Sequence, residues 1–327
     1  TLLIQKRARD EIPADLLIRY RDLKMETVIG AGSFARVYKG KWNHTLVAIK
    51  ELTGVHTLMA TLEAERNVSI SEADSQQDEG IQKLVNEFRS EVLVMSRLHH
   101  PNVLLLVGAC SEFPNLCIVT EFLPNGALYD VLHKKNARDT ITQKQQMQWL
   151  LETVSGMAYL HEQGLMHRDL KSLNVLLDDL NRAKLCDFGL AKIVGDAQRT
   201  MTSGVGSLLW MSPEVMRGDS YSFSADVYSW GIMAWEIMSP EEILFPGMSS
   251  YEVAKQIVAG HRPKVDPAWS YCVCQLMRHC WSDEKESRPT FVEVMLQLEA
   301  VIQPEAKEEM MRGDGNDMGL TTPLLQT

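Results

Sequence analysis

The chain has 327 residues, of which 45 % are hydrophobic and 23 % are charged, and these proportions predict a globular protein with ample material for a core. Its net charge of −10, without a basic run interleaved with aromatic residues, argues against nucleic-acid binding. No apolar run reaches the roughly 18–20 residues that span a bilayer, and no signal-peptide pattern follows Thr1. Because the first residue is not methionine, we interpret the chain as an excised fragment, which leaves a membrane anchor upstream open.

The six cysteines predict a reducing environment. They form no Cys-x-x-Cys pair, and most lie in apolar runs, where a buried and reduced thiol is expected. We therefore expect a cytoplasmic protein, or the cytoplasmic domain of a larger one.

The first half of the chain alternates between strand and loop patterns. Residues 1–22 are predicted to form a lead-in segment that packs on the domain after it. A polar, acidic stretch at 53–80 has no sustained apolar face and predicts an inserted mobile loop, and a helix is expected from about 81 to 98. Strands are predicted around these segments, at 27–29, 36–40, 46–50, 103–107 and 117–121.

After a hinge near residues 121–125 the pattern becomes helical. The clearest amphipathic helix is predicted at 143–163, and residues 303–327 are predicted to form a flexible tail. Further helices are expected at 224–238, 251–259, 268–280 and 290–302. A small β-rich lobe followed by a large helical lobe is an α+β architecture.

The strongest chemical signal combines Asp169, Asn174 and Asp187. Asn174 lies five positions after Asp169 in the run 167–174, and Asp187 follows 13 positions later, before Phe188 and Gly189. Such oxygen ligands can hold a divalent metal on nucleotide phosphates and orient an incoming hydroxyl. A plain turn would explain residues 187–189 alone, but it would not explain Asn174 upstream.

A glycine-containing turn joins the first two predicted strands at residues 30–35. A dinucleotide-binding fingerprint would need a helix after the turn, whereas here a strand follows. Between two strands, Gly30 and Gly32 let the backbone close over phosphates. The alternative is an ordinary hairpin turn.

Together these motifs resemble a protein kinase catalytic domain over roughly residues 23–302. The resemblance implies a bilobal kinase fold. Its small lobe, at about 23–121, would contain five strands and one main helix; a hinge at 121–125 would join it to a large lobe at 126–302. It implies ATP as cosubstrate and Mg²⁺, or alternatively Mn²⁺, as the metal. It also implies a buried ion pair between Glu214 and Arg288, and an Asp226 that holds the catalytic-loop backbone.

The resemblance assigns roles to the core residues. Asp169 would be the catalytic base or hydroxyl-orienting carboxylate, and Lys171 would neutralise charge on the transferring phosphoryl group. Asn174 and Asp187 would bind metal.

Lys50 would pair the α- and β-phosphates and would itself be held by a helix glutamate. Glu91 is the leading partner, and Glu87, one turn earlier on the same face, is the alternative.

The nucleotide site follows from the same resemblance. Thr120 would be the gatekeeper, backbone groups of Glu121 and Leu123 would bind adenine, and a stack of Met95, Leu106, His167 and Phe188 would link the lobes. The residues placed around ATP are Ile29, Gly30, Ala31, Gly32, Ser33, Phe34, Ala35, Val37, Ala48, Lys50, Thr120, Glu121, Leu123 and Leu176. Cys186 is interpreted as a small buried side chain, and the alternative is a reactive thiol.

The subfamily is predicted from mixed features. Lys171 and Ser207 are typical of serine/threonine kinases, whereas Trp210 and Cys280-Trp281 are typical of tyrosine kinases. This mixture resembles the tyrosine-kinase-like group, near the Raf and mixed-lineage kinases, and implies Ser/Thr hydroxyls of protein substrates as acceptors. The alternatives are a dual-specificity or tyrosine kinase, and a catalytically weak pseudokinase that acts as a scaffold.

Control by phosphorylation is expected in the segment 187–214. Thr200, Thr202 and Ser203 are the candidate sites, and Arg168 could pair with a phosphate there. The implied partners are protein substrates and upstream activators, and dimerisation is left open.

Overall fold

Five antiparallel strands form the sheet of the small lobe in this computed structural model, which describes residues 12–32, 35–54, 73–134, 140–187, 192–193, 205–239, 245 and 247–302. Their order in the sheet is β1-β2-β3-β5-β4. They are β1 (Leu23–Ala31), β2 (Arg36–Trp42), β3 (Thr45–Glu51), β4 (Leu106–Glu112) and β5 (Asn115–Glu121). The predicted count of five is confirmed.

The turn between β2 and β3 shows why this meander forms locally. Asn43 and His44 are its two loop residues, and both have positive φ angles, of 46° and 66°. Two left-handed residues match the twist of the flanking strands, and asparagine tolerates that conformation well.

Helix α1 (Ala73–Met95) packs across the sheet and begins about two turns before the predicted start at residue 81. The predicted loop at 53–80 is therefore wrong for its last part, and residues 55–72 lie outside the described residues. The first turns of α1 lack an apolar stripe, which is why periodicity missed them, but acidic residues near a helix start are favourable for the helix dipole.

The predicted fourth strand was misplaced. Residues 103–107 were expected to form it, but β4 begins at Leu106 and runs to Glu112. Leu104 N instead donates to Leu185 O at 2.9 Å, and Leu185 N donates to Asn102 O at 2.9 Å. Val103 and Leu104 are buried beside β8 rather than in the sheet, whereas Leu105 is exposed.

The large lobe is mainly helical. Its helices are α2 (Leu128–His133), α3 (Gln143–Glu162), α4 (Pro213–Met216), α5 (Phe223–Met238), α6 (Ser250–Val258), α7 (Tyr271–Cys280) and α8 (Phe291–Ile302). Short strands β6 (Leu165–Met166), β7 (Val175–Leu177), β8 (Ala183–Leu185) and β9 (Lys192–Ile193) lie between α3 and α4. None of the helices in the described ranges is long and apolar enough to cross a membrane.

The core of the large lobe surrounds α5. From Ala225 to Met238 every residue of this helix is buried. A helix that is hydrophobic on all sides is an internal element, and α3, α7 and the 3₁₀ turn Val205–Trp210 pack around it. Because α5 cannot move without disturbing this packing, any side chain that it presents is held rigidly.

The described part of the lead-in packs on β4, the edge strand of the sheet. Leu17 forms a bridge with Ala109, and Ile18 N donates to Ala109 O at 2.9 Å. A Cβ atom on Gly108 would come within 2.6 Å of Leu16 O, so the close approach depends on glycine. The lead-in therefore covers a sheet edge that would otherwise be open.

The segment that follows α1 is attached to the large lobe. His99 N donates to the Tyr159 hydroxyl at 3.0 Å, and the His100 ring stacks on the Tyr159 ring with centroids 5.0 Å apart. Asn102 Nδ2 donates to Ala183 O at 2.9 Å. This connection fixes the position of one lobe against the other beside the hinge.

Candidate active site

The catalytic-loop candidate, residues 167–174, is anchored by a carboxylate of α5. Asp226 is completely buried and accepts hydrogen bonds from His167 N and Arg168 N, both at 2.9 Å. His161 and the Tyr221 hydroxyl also bond to it, at 3.0 and 2.8 Å. Burial alone would raise the pKa of Asp226, but hydrogen bonds and the nearby histidines outweigh burial and lower it. The expected role of Asp226 as backbone anchor is confirmed.

The loop brings Asp169, Lys171 and Asn174 into direct contact. Lys171 Nζ donates to Asp169 Oδ2 at 2.6 Å. Asn174 Nδ2 donates to Asp169 O at 2.7 Å and to Asp169 Oδ2 at 3.0 Å. Because the amide nitrogen of Asn174 faces Asp169, its oxygen points away and remains as the atom that could bind a cation.

Asp187 is carried to the same place by the hairpin of β7 and β8. Val175 faces Leu185 in this hairpin, and Cys186 N donates to Asn174 O at 2.9 Å. Asp187 follows directly, and about half of its side chain is exposed. The hairpin therefore explains the spacing of 13 positions, because it returns the chain to Asn174.

Arg168 and Asp187 have left-handed backbone conformations, with φ angles of 68° and 63°. Residues other than glycine rarely adopt this region, and the cost is of order 1–3 kcal/mol each. The anchoring of the catalytic loop and the β7–β8 hairpin hold them there. Strain at both motifs is typical of functional sites.

Lys50 lies across the cleft from this loop and contacts both Glu91 and Asp187. Its Nζ lies 2.7 Å from Glu91 Oε1 and 3.8 Å from Asp187 Oδ1. Glu87, the alternative partner, is exposed. An ammonium between two carboxylates is placed to hold an anionic group that enters the cleft.

The glycine turn lies between β1 and β2, as predicted. Gly32 N donates to Ala35 O at 2.8 Å and closes the turn. Added Cβ atoms on Gly30 and Gly32 would meet described atoms only at ordinary distances of 3.6 Å or more, and neither residue has a positive φ angle. Because the described fold does not require glycine there, the glycines fit the close approach of a ligand to the backbone.

The residues expected to bind adenine lie on β1, β2, β3, β5, the hinge segment and β7. Ala48 on β3 faces the buried Thr120 on β5, and Val37 on β2 faces Lys50. Leu176 lies on β7, which the hinge segment contacts through a hydrogen bond from Asn125 N to Leu177 O at 3.2 Å. Glu121 and Leu123 follow Thr120 along the chain, with Leu123 buried and the Glu121 carboxylate 2.7 Å from Lys184 Nζ. Ile29 on β1 is half-exposed.

Several expected site residues lie outside the described residues. They are Ser33, Phe34, Phe188, Thr200, Thr202 and Ser203. Cys186 is buried, and burial raises the pKa of its thiol, which supports the interpretation as an unreactive side chain.

A buried ion pair stabilises the segment after the catalytic loop. Arg288 Nη1 and Nη2 bind Glu214 Oε1 and Oε2 at 2.6 and 2.9 Å. This two-bond geometry satisfies both charges inside the protein. The expected pair is confirmed.

One buried carboxylate was missed from the sequence. Glu236 on α5 is 5 % exposed and bonds to His133, Ser172 and Trp210. The available signal was a single glutamate inside the apolar segment 230–238. Buried carboxylates are rare unless they have partners.

Comparison with known proteins gives a consistent result. The family described as protein tyrosine and serine/threonine kinase matches residues 23–298. A probable serine/threonine-protein kinase of Dictyostelium discoideum is 37 % identical over 283 residues, which are 86 % of this chain and 28 % of that protein. Serine/threonine-protein kinase CTR1 of Arabidopsis thaliana is 34 % identical over 290 residues, covering 88 % of this chain and 32 % of that protein.

A third relative carries a different description. The dual specificity protein kinase pyk3 of Dictyostelium discoideum is 34 % identical over 304 residues, covering 91 % of this chain and 20 % of that protein. The chain thus spans less than a third of the length of these three relatives. The prediction of a bilobal kinase catalytic domain of the tyrosine-kinase-like group is confirmed. The chain belongs to the protein tyrosine and serine/threonine kinase family.

Proposed function

We propose that this chain transfers the γ-phosphoryl group of ATP to serine or threonine hydroxyls of protein substrates. The observation that carries the proposal is the contact of Lys171 and Asn174 with one carboxylate oxygen of Asp169, at 2.6 and 3.0 Å. Asp169 would accept a hydrogen bond from the acceptor hydroxyl, and Lys171 would stabilise negative charge on the transferring group. Positioning and electrostatics would supply most of the rate enhancement.

Asn174 and Asp187 would hold the magnesium ion. The donor set fits, because Mg²⁺ prefers oxygen ligands and is usually bound by one or two protein groups together with substrate phosphates. Among the described residues no cluster of three or more His, Cys, Asp or Glu side chains could hold a metal alone, in keeping with a cation that is bound together with the nucleotide. When bound, the cation neutralises phosphate charge; Lys50 would hold the α- and β-phosphates from the other side.

The acceptor type is proposed from two lines of support. Lys171 contacts Asp169 in the arrangement expected of serine/threonine kinases, and two of the three relatives above are described as serine/threonine kinases. The dual-specificity description of pyk3 makes tyrosine transfer the second candidate.

Phosphate incorporation from labelled Mg-ATP into a peptide array would test both parts. We expect labelled serine and threonine peptides with the wild-type protein and a loss of at least about 100-fold with Asp187→Ala. Asp179→Asn changes an exposed aspartate of the same lobe and serves as the matched control. Equal labelling by wild type and Asp187→Ala would refute the catalytic assignment and favour a scaffold, whereas labelled tyrosine peptides would refute the acceptor assignment.

We also propose control by phosphorylation at Thr200, Thr202 or Ser203. Arg168 supports this, because its Nε and Nη2 atoms are buried and have no hydrogen-bond partner among the described residues. A phosphate could satisfy them through charge-assisted hydrogen bonds. Upstream activators would then be partners of this chain. Mass spectrometry of active enzyme would refute the proposal if all three residues carried no phosphate.

A cytoplasmic, reducing environment is proposed from the thiols. Cys110 on β4 and Cys117 on β5 face each other directly, and both are free and buried. Both thiols lie in an apolar interior, where burial raises their pKa and a reduced, unreactive state is expected.

A further inference from the structure

Helix α5 carries two buried carboxylates that contact opposite ends of the catalytic loop. Asp226 binds the backbone of His167 and Arg168, and Glu236 Oε1 accepts a hydrogen bond from Ser172 Oγ at 2.7 Å. The two carboxylates lie ten residues apart on the helix, about 15 Å along its axis. Asp169 and Lys171 lie in the part of the loop between these two attachments.

Glu236 also contacts two other elements. Trp210 Nε1 donates to its Oε2 at 3.0 Å, and His133 Nε2 lies 2.8 Å from its Oε1. The His133 ring packs on Tyr129, with ring centroids 4.3 Å apart, and this contact orients it. One carboxylate thereby connects α2, the catalytic loop and the turn Val205–Trp210.

Packing alone does not account for a carboxylate at this position. Glu236 is buried among apolar residues of α5, and an apolar side chain of similar size would avoid its desolvation cost. What an apolar residue could not do is bind Ser172 and Trp210. Ser172 follows Lys171 directly, and Trp210 lines the same small cavity as Asp169.

We propose that Glu236 is a positioning residue for phosphoryl transfer. Through Ser172, Glu236 fixes the second end of the catalytic loop. Through Trp210 it sets the position of the turn Val205–Trp210 relative to Asp169. This proposal rests on the proposed phosphotransfer function. A displacement of about 1 Å at a reacting group can cost roughly 100-fold in rate, so the second attachment acts on kcat rather than on nucleotide affinity.

The test uses four variants of the full chain. Ser172→Ala removes only the loop attachment, Glu236→Gln weakens the whole cluster, and the double variant measures their coupling. Thr153→Val is the matched control, because Thr153 Oγ1 accepts a hydrogen bond from Trp230 Nε1 of α5 at 3.0 Å, in the core away from the catalytic loop. Steady-state kinetics, Mg-ATP affinity, the melting temperature and amide hydrogen exchange of residues 169–174 are measured for each.

We expect Ser172→Ala to lower kcat about ten- to 100-fold with the KM for Mg-ATP within about twofold of wild type. Amide exchange in the catalytic loop should become faster, and the double variant should be no slower than Glu236→Gln. Thr153→Val should lower the melting temperature but leave kcat unchanged. If Glu236→Gln does not fold, Ser172→Ala alone still tests whether the attachment of the loop to Glu236 affects kcat.

A wild-type kcat for Ser172→Ala, or independent multiplicative losses in the double variant, would overturn the positioning role. If the wild-type chain transferred no phosphate, the proposed function would fail. Hydrogen exchange would still decide the attachment itself, because unchanged loop protection in Ser172→Ala and Glu236→Gln would overturn it.

Discussion

Lys50 is a single side chain at which burial and charge compete. Burial alone favours the neutral amine and would lower its pKa, but the negative charges of Glu91 and Asp187 outweigh burial, and the pKa lies above its ordinary value of 10.5. Lys50 therefore remains an ammonium at neutral pH. Its charge is available for a phosphate group in the cleft.

Replacing Glu91 by glutamine should separate its role from that of Glu87. Glu91→Gln removes the charge that holds Lys50 at 2.7 Å, so we expect the phosphotransfer rate to fall about tenfold or more. Glu87→Gln lies one turn away on the exposed side of α1 and should leave the rate unchanged. A loss with Glu87→Gln and none with Glu91→Gln would contradict the assignment; labelled-ATP kinetics measures both.

The pair of Glu214 and Arg288 predicts an acid-sensitive contribution to stability. Burial would raise the pKa of Glu214, but Arg288 outweighs burial, and the pKa lies below its usual value of 4.5. The folded state therefore holds this proton more weakly than the unfolded state. The contribution is fully present above about pH 4.5 and is lost as the pH falls through the folded-state pKa.

We expect Glu214→Gln to lower the free energy of unfolding by about 3–5 kcal/mol at neutral pH, because Arg288 loses its buried partner. The difference from wild type should shrink below about pH 4.5. Urea denaturation at both pH values measures it. A difference that stays constant across this range would contradict the assigned charge state.

The residues of the site differ in how far sequence could find them. Asp169, Lys171 and Asn174 contact one another within one short loop, so their spacing in the sequence is enough to identify them as one site. Glu236 contacts residues 103 and 64 positions away, and no local pattern records such contacts. A single charge within an apolar helix indicates only that partners must exist.

At the scale of elements, the periodicity of apolar residues in the sequence predicted most helices. It failed where polar residues begin a helix or where contacts between the lobes determine the structure. Helix α3 begins at the predicted residue 143, because one of its faces is continuously apolar. The start of α1 and the position of β4 were wrong. Polar residues begin α1, and the apolar stretch before β4 pairs with β8 of the other lobe, which a strand pattern cannot distinguish from sheet pairing.

Gly108 on β4 should be essential to the packing of the lead-in. In Gly108→Ala the new methyl group would lie 2.6 Å from both Leu16 O and Ile18 Cδ1, so the lead-in must shift. We expect a loss of about 1–3 kcal/mol in unfolding free energy. Gly32→Ala is the control, since its Cβ meets only an ordinary contact of 3.7 Å. Equal stability of both variants would show that the lead-in does not depend on this approach.

For the whole molecule, the structural unit extends beyond the region shared with the family. The family match begins at residue 23, but Ile12 and Ile18 are buried before it. The Tyr20 hydroxyl donates to Glu51 Oε1 at 3.0 Å, which attaches the lead-in to β3 as well. The packed unit therefore includes residues 12–22 of the lead-in.

Deletion of residues 1–22 should destabilise the protein more than deletion of residues 1–11 does. The longer deletion removes two buried isoleucines, each worth about 1.5–3 kcal/mol, and exposes the edge of β4. We expect the melting temperature to fall by roughly 5–15 °C relative to the shorter deletion. Calorimetry of the two chains measures this. Identical melting temperatures would mean that the lead-in is dispensable.

The contacts of His99 and His100 with Tyr159 hold the chain just after α1 against the large lobe. A rotation of α1 about its C-terminal end displaces each residue in proportion to its distance from that end. Glu91 lies four residues from Met95, about 6 Å along the axis, whereas Ala73 lies about 33 Å away. A given rotation therefore moves the start of the helix about five times farther than Glu91. A weak force applied at the start of the helix is correspondingly multiplied at Glu91.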